Sequence, residues 1–398
     1  MSNVCNVALL GQKFMGRAHS NAYLKVAKFF NVPLVPVMHT VVGQDLIALA
    51  PFAVRWGWKK YSTQWKEVVK DPLINLVDVS TPNYMHADQA IAALAAGKHV
   101  ACEKPLAGTL KDARAMRTAA MKARKQRTFV WYNYRRCPAV ALAHQLVRDG
   151  KLGRIYHVRA NYLQSWGGPS TPISWRFQKK FAGSGAHGDL NAHMIDMCRF
   201  VTGQEFVEVT GAIAETFVHE RERPGVETRT LGRSASAVTA KKVVKDKVDV
   251  DDCVLFLGRL SGGAVASVEA TRVANGHQNN NMIEINGEAG SLRFSFEDMN
   301  VLWYFDNSDS PRIAGWRRIM CTSAGHHPYA AAWWPEAHVL GYEHTFVNMV
   351  ADMMAVLAGE QPIVPMPDFN DAYETQRVLE AALIAAKNRA AIKMTEVK

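Results

Sequence analysis

Five short apolar runs, separated by segments of helical spacing, fill the first third of this 398-residue chain. The runs are Asn6–Leu10, Val35–Val42, Leu76–Ser80, His99–Cys102 and Thr128–Trp131. Between and after them, Ala18–Phe30, Leu46–Trp56, Thr63–Lys70, Ala87–Ala96 and Leu110–Lys125 repeat apolar residues every three or four positions. Strands that alternate with helices in this way imply an α/β fold with a doubly wound parallel sheet and right-handed crossovers. Ligands of such sheets collect at the carboxyl ends of the strands. The loop Thr81-Pro82-Asn83-Tyr84-Met85-His86, which follows the third run, falls at such an end.

The pattern changes after Pro138. Ala139–Asp149 reads as a helix, Ile155–Gln164 as a long alternating strand, and Asp189–Thr202 as a helix with an apolar stripe. Further strands are expected at Glu208–Ala214, Asp251–Leu260, Ala264–Arg272, Met282–Asn286 and Ser291–Phe296, separated by glycine turns. They imply an α+β domain with an open, mostly antiparallel sheet covered by helices on one face. Residues 1–136 are therefore read as a dinucleotide-binding domain and 137–398 as a substrate-binding and oligomerisation domain. Its final helices, Glu343–Ala358 and Asn370–Arg389, are free to pack back on the first. Two domains suit a chain of this length. The segment Thr230–Asp252 reads as an exposed excursion, with Thr230–Lys247 a candidate inter-subunit arm. An apolar sheet face left bare must be buried against something, so a homodimer or homotetramer through that face is expected.

Composition narrows the function classes. Six scattered cysteines form no C-x-x-C pair, which argues against a disulfide scaffold or a structural zinc site and fits a reducing compartment. No apolar run is long enough to span a membrane, and the first strand begins too early for a signal peptide, so a cytoplasmic protein is expected. The net charge of +11 comes from dispersed basic residues with no nucleic-acid motif beside them. A solvated surface that attracts an anionic cofactor explains it better than nucleic-acid binding. His326, His327 and His344 lack zinc spacing, and no G-x-S-x-G elbow offers a serine nucleophile.

Three features in order suggest hydride transfer. Gly11-Gln12-Lys13-Phe14-Met15-Gly16 is a G-x-G-x-x-G turn whose middle glycine is replaced by Lys13. Helix N-terminal amides there would bind a pyrophosphate, and Lys13 is a candidate phosphate contact. Glu103-Lys104-Pro105 then places a lysine on a stiffened turn after a strand. Downstream, Asp189 and His193 stand four residues apart in Gly188-Asp189-Leu190-Asn191-Ala192-His193. The acid that reads a ribose 2′-hydroxyl is expected after the second strand, but Gly43 stands there and Asp45 is the nearest acid. The pattern favours NAD and leaves NADP open.

These residues resemble the Gfo/Idh/MocA oxidoreductase family. The resemblance runs through Phe14-Met15-Gly16-Arg17-Ala18-His19, Thr81-Pro82-Asn83 with His86, Glu103-Lys104-Pro105-Leu106, Tyr132 through Arg136, Trp175-Arg176-Phe177 and Gly188 through Asp196. Trp175–Gln178, Val250–Asp252, Glu269 through Arg272, Trp334-Pro335 and Gly341-Tyr342 are similar to its levoglucosan dehydrogenase and sugar 3-dehydrogenase branch. The resemblance implies a catalytic Lys104, Asp189 and His193. It places Gly11, Lys13, Phe14, Met15, Gly16, Asp45, Ser80, Thr81, Pro82, Asn83, His86, Glu103 and Lys104 at the cofactor. Lys13 and the missing acid after the second strand depart from the family pattern and bear on cofactor choice.

Oxidising a secondary alcohol needs a base for the hydroxyl proton and a carbon held against the nicotinamide. His193 is suited to take a proton near neutral pH. Asp189, at i and i+4 with it on one helix face, would bind a neighbouring hydroxyl or orient the imidazole. Lys104 would sit between nicotinamide and substrate hydroxyl, with burial and the cationic ring lowering its pKa. A polyol also needs hydrogen-bonding side chains and an aromatic face. The substrate set is Lys104, Tyr134, Arg135, Gln164, Trp175, Arg176, Asp189 and His193, with Trp166, Asn191, Arg272 and His338 as further candidates. The expected activity is NAD(P)-dependent oxidation of a ring secondary hydroxyl of a pyranose sugar, anhydrosugar or glycoside, at C3, to a ketone. Alternatives are a cyclitol dehydrogenase, a glycosidase-like enzyme that recycles bound NAD, and a non-catalytic NAD-responsive regulator.

Overall fold

A computed structural model describes residues 3–224 and 244–398. The N-terminal part runs β1 (Val4–Leu10), α1 (Phe14–Phe29), β2 (Val35–Val42), α2 (Leu46–Trp56), β3 (Lys60–Ser62), α3 (Trp65–Val68), β4 (Leu76–Val79), α4 (His86–Ala95), β5 (His99–Cys102), α5 (Leu110–Lys122) and β6 (Thr128–Val130). The six strands pair in parallel in the order β3-β2-β1-β4-β5-β6. Their central members are mostly apolar because both faces are covered, with buried Asp78 of β4 the exception. Val7 and Leu9 face one core cluster, and Ala8, Leu10, Val77 and Val79 face the other. Strand order reverses between β1 and β4, which leaves a crevice beyond their carboxyl ends. The edge strand β3, Lys60-Tyr61-Ser62, was not expected because it has no apolar run to announce it.

The remainder comprises α6 (Pro138–Arg148), β7 (Ile155–Leu163), α7 (Lys179–Ala182), α8 (Ala192–Thr202), β8 (Phe206–Glu215), β9 (Glu220–Glu222), β10 (Lys245–Lys247), β11 (Cys253–Leu260), β12 (Val265–Thr271), β13 (Asn280–Gly287), β14 (Gly290–Ser295), β15 (Val301–Asp306), β16 (Arg317–Met320), α9 (Tyr342–Leu357), α10 (Phe369–Asn388) and β17 (Ile392–Lys393). Nine of its strands form one sheet, β16-β15-β14-β13-β7-β12-β11-β8-β17, in which only β7 and β12 pair in parallel. Helices α6, α8 and α10 pack against it. On the opposite face Ile213 and Leu255 are register partners, and Leu257 and Val265 lie nearby on β11 and β12, all four exposed.

Two expectations need correction here. The segment read as the exposed excursion Thr230–Asp252 lies largely outside the described residues, and its described end is not a free loop. Lys245–Lys247 pairs with Glu220–Glu222, while Val248 and Val250 join Ile173 and Phe177 in a small core. Asp251 and Asp252 are buried because their carboxylates accept loop amides: Gly185 and His187 donate to Asp251, Phe217 and Val218 to Asp252. The helix expected from Asp189 begins instead with a π-helical turn, His187–Asn191, which leads into α8.

The chain returns to the first sheet through α9. Phe346, Val347, Val350 and Met353 share a core with Val7, Leu9 and Val26 of β1 and α1. The Phe346 ring lies 5.7 Å from both His19 and Trp131. At the same seam buried Arg136 pairs with Asp352 at 3.2 Å. Deleting the Phe346 ring leaves a void between two parts of the protein that cannot close independently. Phe346→Ala is therefore expected to lose about 3–5 kcal/mol of stability, measured by urea denaturation. A loss below 1 kcal/mol would place the packing of α9 elsewhere.

Candidate active site

A cavity of about 1230 Å³ lies along the carboxyl ends of β1, β2 and β4 and continues between the two sheets. At its first end Leu10 through Met15, Val42 through Asp45, Ser80 through Met85, Thr63 and Trp65 form the wall. Gly11 has φ +121°, and a Cβ there would come within 2.5 Å of Ser80 Oγ, while a Cβ on Gly16 would lie 2.3 Å from Gly11 O. Turn, strand and helix thus pack too closely for any larger residue. Lys13 stands at the N-cap of α1 without a side-chain cap, so the first helix amides stay available to an anion. This end has the open helix terminus and flush backbone that a dinucleotide pyrophosphate requires.

Behind the cavity a buried network fixes the turn after β5. His19 bridges Asp78 Oδ2 at 2.9 Å and Glu103 Oε1 at 3.0 Å. Tyr23 and Trp131 also donate to Asp78, each at 2.9 Å. Burial opposes charge on His19, but the two carboxylates outweigh it and raise its pKa to about 9. The second Glu103 oxygen accepts the Lys104 amide at 3.0 Å, which aims the lysine across the cavity.

Lys104 Nζ donates to Asp189 O at 2.7 Å and to Asp189 Oδ1 at 3.0 Å. The other carboxylate oxygen accepts from Arg272 at 3.0 Å. Burial works against the Asp189 charge, yet Lys104, Arg272 and nearby Arg176 hold its carboxyl well below the usual range. His193 packs against the Tyr134 ring at 4.5 Å and has no hydrogen-bond partner among the described residues. Burial, with the Lys104 cation beside it, lowers its pKa well below 6.5, so the imidazole is neutral at pH 7. The second end is completed by Asn133, Tyr162, Gln164, Trp166, Ser174, Trp175, Arg176, Asn279, Phe296 and Tyr342. Tyr134 and Tyr162 hydroxyls meet at 2.7 Å, and Asn279 Oδ1 accepts from Tyr162 and Gln164, both at 2.7 Å.

Most sequence-assigned residues converge here. Gly11, Lys13, Phe14, Met15, Asp45, Ser80, Thr81, Pro82, Asn83, Glu103, Lys104, Tyr134, Gln164, Trp175, Arg176, Asp189 and His193 line the cavity. The geometry places two assigned residues away from the cavity. Arg135 is not at the substrate end; it is buried in ion pairs with Asp196 and Asp371 that tie α8 to α10. His86 does not reach the cavity, because its ring bonds Thr81 O at 2.8 Å and Pro105 O at 3.2 Å and so joins two loops. Gly16 lies beneath the wall. Of the two roles open to Asp189, orienting His193 is not seen: its carboxylate accepts from Lys104 and Arg272 and makes no hydrogen bond to the imidazole. Among the further candidates, Asn191 bonds His187 and Val254, and exposed His338 bonds its own loop. Sequence reasoning missed Thr63, Trp65, Asn133, Tyr162, Asn279 and Tyr342. Trp65 follows the unannounced β3, and the others are ordinary core types whose placement depends on the second sheet.

Residues 5–132 match the family described as "Oxidoreductase family, NAD-binding Rossmann fold", and residues 140–293 match the GFO/IDH/MocA C-terminal domain. The chain is 38% identical to levoglucosan dehydrogenase of Pseudarthrobacter phenanthrenivorans over 98% of both chains. It is 36% identical to 1,5-anhydro-D-fructose reductase of Ensifer adhaerens over 48% of this chain and 56% of that one. Among solved structures, an oxidoreductase domain protein from Kribbella flavida superposes with a TM-score of 0.91 at 44% identity, covering 99% of this chain and all of that one. Levoglucosan dehydrogenase in complex with NADH and levoglucosan superposes with a TM-score of 0.89 at 38% identity, covering 98% and 99%. With an NAD-binding sheet at one end of the cavity and a charged lysine–aspartate pair at the other, this chain belongs to the Gfo/Idh/MocA family of NAD-binding oxidoreductases.

Proposed function

We propose that this protein is an NAD-dependent dehydrogenase that oxidises a ring secondary hydroxyl of a pyranose sugar, anhydrosugar or glycoside, at C3, to the ketone. The observation that carries this reading is the cluster of Lys104, Asp189 and His193 where the dinucleotide end of the cavity meets a wall of tyrosine, tryptophan and amide side chains. Such a wall offers hydrogen bonds for hydroxyl groups and ring faces for C–H groups. Relatives named for levoglucosan and for 1,5-anhydro-D-fructose support a cyclic, largely uncharged substrate.

Bound NAD supplies the hydride acceptor. His193, neutral and unbonded, takes the hydroxyl proton. Lys104 gives two of its three protons to Asp189 and keeps the third for the reacting oxygen, whose developing negative charge it stabilises. Asp189 stays ionised between two cations and accepts from a neighbouring hydroxyl. Tyr134, Gln164, Trp175 and Arg176 surround the rest of the ring. Retention of the whole charged cluster supports an enzyme over a regulator.

The open face of the second sheet supports a two-fold homodimer as the working unit, because Ile213, Leu255, Leu257 and Val265 are exposed on adjacent strands there. Light scattering is expected to give at least twice the 44.1 kDa chain mass, and a monomeric mass would sink the assignment.

The activity is tested by following absorbance at 340 nm with NAD and NADP across levoglucosan, glucose, alkyl and aryl glucosides and myo-inositol. Reduction of NAD by one sugar class is expected, and Lys104→Met is expected to lower kcat by about 10²–10⁴. Turnover of myo-inositol alone would make the protein a cyclitol dehydrogenase. Glycoside cleavage without net NADH would indicate cofactor recycling.

The pH profile tests the base. Burial and the Lys104 cation both favour the neutral imidazole, so proton acceptance should persist below the ordinary value of 6.5. The acidic limb of kcat/KM is therefore expected below pH 6.5. It should move upward in residual Lys104→Met activity, because the neighbouring cation is gone. A limb above pH 6.5 in the unmodified enzyme would exclude His193 as the base.

A further inference from the structure

The dinucleotide end contains one buried polar atom that its own fold does not use. Gln12 occupies the second position of the glycine turn and lines the cavity, and its Oε1 is buried with no hydrogen-bond partner among the described residues. Such an atom is costly unless a ligand satisfies it. The turn is fastened to the end of β2 by Gly11 N donating to Val42 O at 2.8 Å, and Gly43 N donates to Ser62 O at 3.2 Å on β3. Gln12 is thereby laid across Gly43. A Cβ built on Gly43 would lie 1.7 Å from Gln12 Oε1 and 2.7 Å from its Cδ. The space that an acid at position 43 would need is filled by the Gln12 amide.

Asp45 is no simple replacement for that acid. One of its oxygens, Oδ1, caps α2 by accepting from Ile47 N at 3.0 Å and Ala48 N at 3.2 Å. Lys13 and Asp45 are the ionisable residues in this part of the wall, and Lys13 stands at the α1 terminus beside the pyrophosphate turn.

We infer that Gln12 and Gly43 act as a compensating pair that recognises the adenosine ribose: the Gln12 amide oxygen accepts a 2′-hydroxyl proton in place of a carboxylate at position 43. A 2′-phosphate would set its charge against that carbonyl oxygen and the Asp45 carboxylate. Gln12 thus favours NAD over NADP. The inference goes beyond the sugar assignment and does not depend on it.

Affinities are measured with no sugar present, by titrating the full-length protein with NADH and with NADPH and following nucleotide fluorescence. Gln12→Ala is expected to weaken NADH about 3- to 10-fold, the loss of one hydrogen bond, and to change NADPH by less than about 2-fold. Gly43→Asp alone is expected to weaken NADH at least about tenfold, because the new side chain meets the Gln12 amide. The double variant Gln12→Ala/Gly43→Asp is expected to return to within about threefold of the parent, a coupling that unrelated damage would not produce. Circular dichroism and thermal melting report on folding. If Gly43→Asp does not fold, Gly43→Ala makes the same clash with a smaller group and is expected to weaken NADH in the same direction. The inference is overturned if Gln12→Ala leaves NADH affinity unchanged or weakens both nucleotides equally, or if the losses in the double variant simply add. A failed sugar panel beside these affinities would discard the substrate and keep the ribose pair.

Discussion

The Asp189 carboxylate holds the two halves of the site together. Lys104 reaches it from the turn after β5 in the first sheet, and Arg272 reaches it from the end of β12 in the second. Lys104 is therefore held in this position only when both sheets are in place. Two cations share one anion, so the cluster keeps an excess positive charge, which under the proposed mechanism faces the oxygen where negative charge grows. The carboxylate side chain is a quarter exposed while Arg272 is almost fully buried. Removing Asp189 would strand a buried guanidinium, an error worth about 3–5 kcal/mol in comparable buried pairs. The proposed chemistry and the seam between the sheets thus depend on the same group.

Lys104 is aimed from behind by a second charged assembly. Three donors converge on Asp78, and His19 carries the connection on to Glu103, whose free oxygen takes the Lys104 amide. The His19 ring lies flat on Trp131 at 4.0 Å, and Phe346 of α9 closes the same pocket. Because the imidazolium persists to about pH 9, both carboxylates remain compensated across the range in which the enzyme would work. The helix that returns late in the chain is thus part of the support for a turn placed some 240 residues earlier.

Sequence periodicity announced the doubly wound first sheet, and many of the residues that line the cavity could be named because they sit where chain direction is constrained. The boundaries of β2, α2 and β5 coincide with the apolar runs, and the turns after β1, β4 and β5 carry glycine, proline and charge that local rules can read. Lys104, Asp189 and His193 stand out for the same reason. What was illegible depends on distance in sequence. Arg135 reads as an exposed sugar ligand until Asp196 and Asp371 appear beside it. Tyr162 reads as a strand residue, and Asn279 falls in no expected element, until β7 and β13 pair and bring them to the cavity. Trp65 is hidden because β3 is three residues long and polar. Asp251 and Asp252, in a stretch that reads as solvated, are buried because each accepts amides from a distant loop.

The π-helical turn sets Asp189 and His193 apart. In an ordinary α-helix, residues four apart lie one above the other on one face. One extra residue in the turn widens the ladder and re-aims the side chains, a distortion that persists only when its backbone is held from outside. Here Asp251 accepts Gly185 N at 2.8 Å and His187 N at 2.7 Å, and Asn191 donates to Val254 O at 3.1 Å. So held, Asp189 turns to Lys104 and Arg272, and His193 is left against Tyr134 with no acid partner to charge it. A carboxylate bonded to the ring would have raised the imidazole pKa. The distortion keeps the charged Asp189–Lys104 pair apart from the neutral imidazole, and the proposed division of roles rests on that separation.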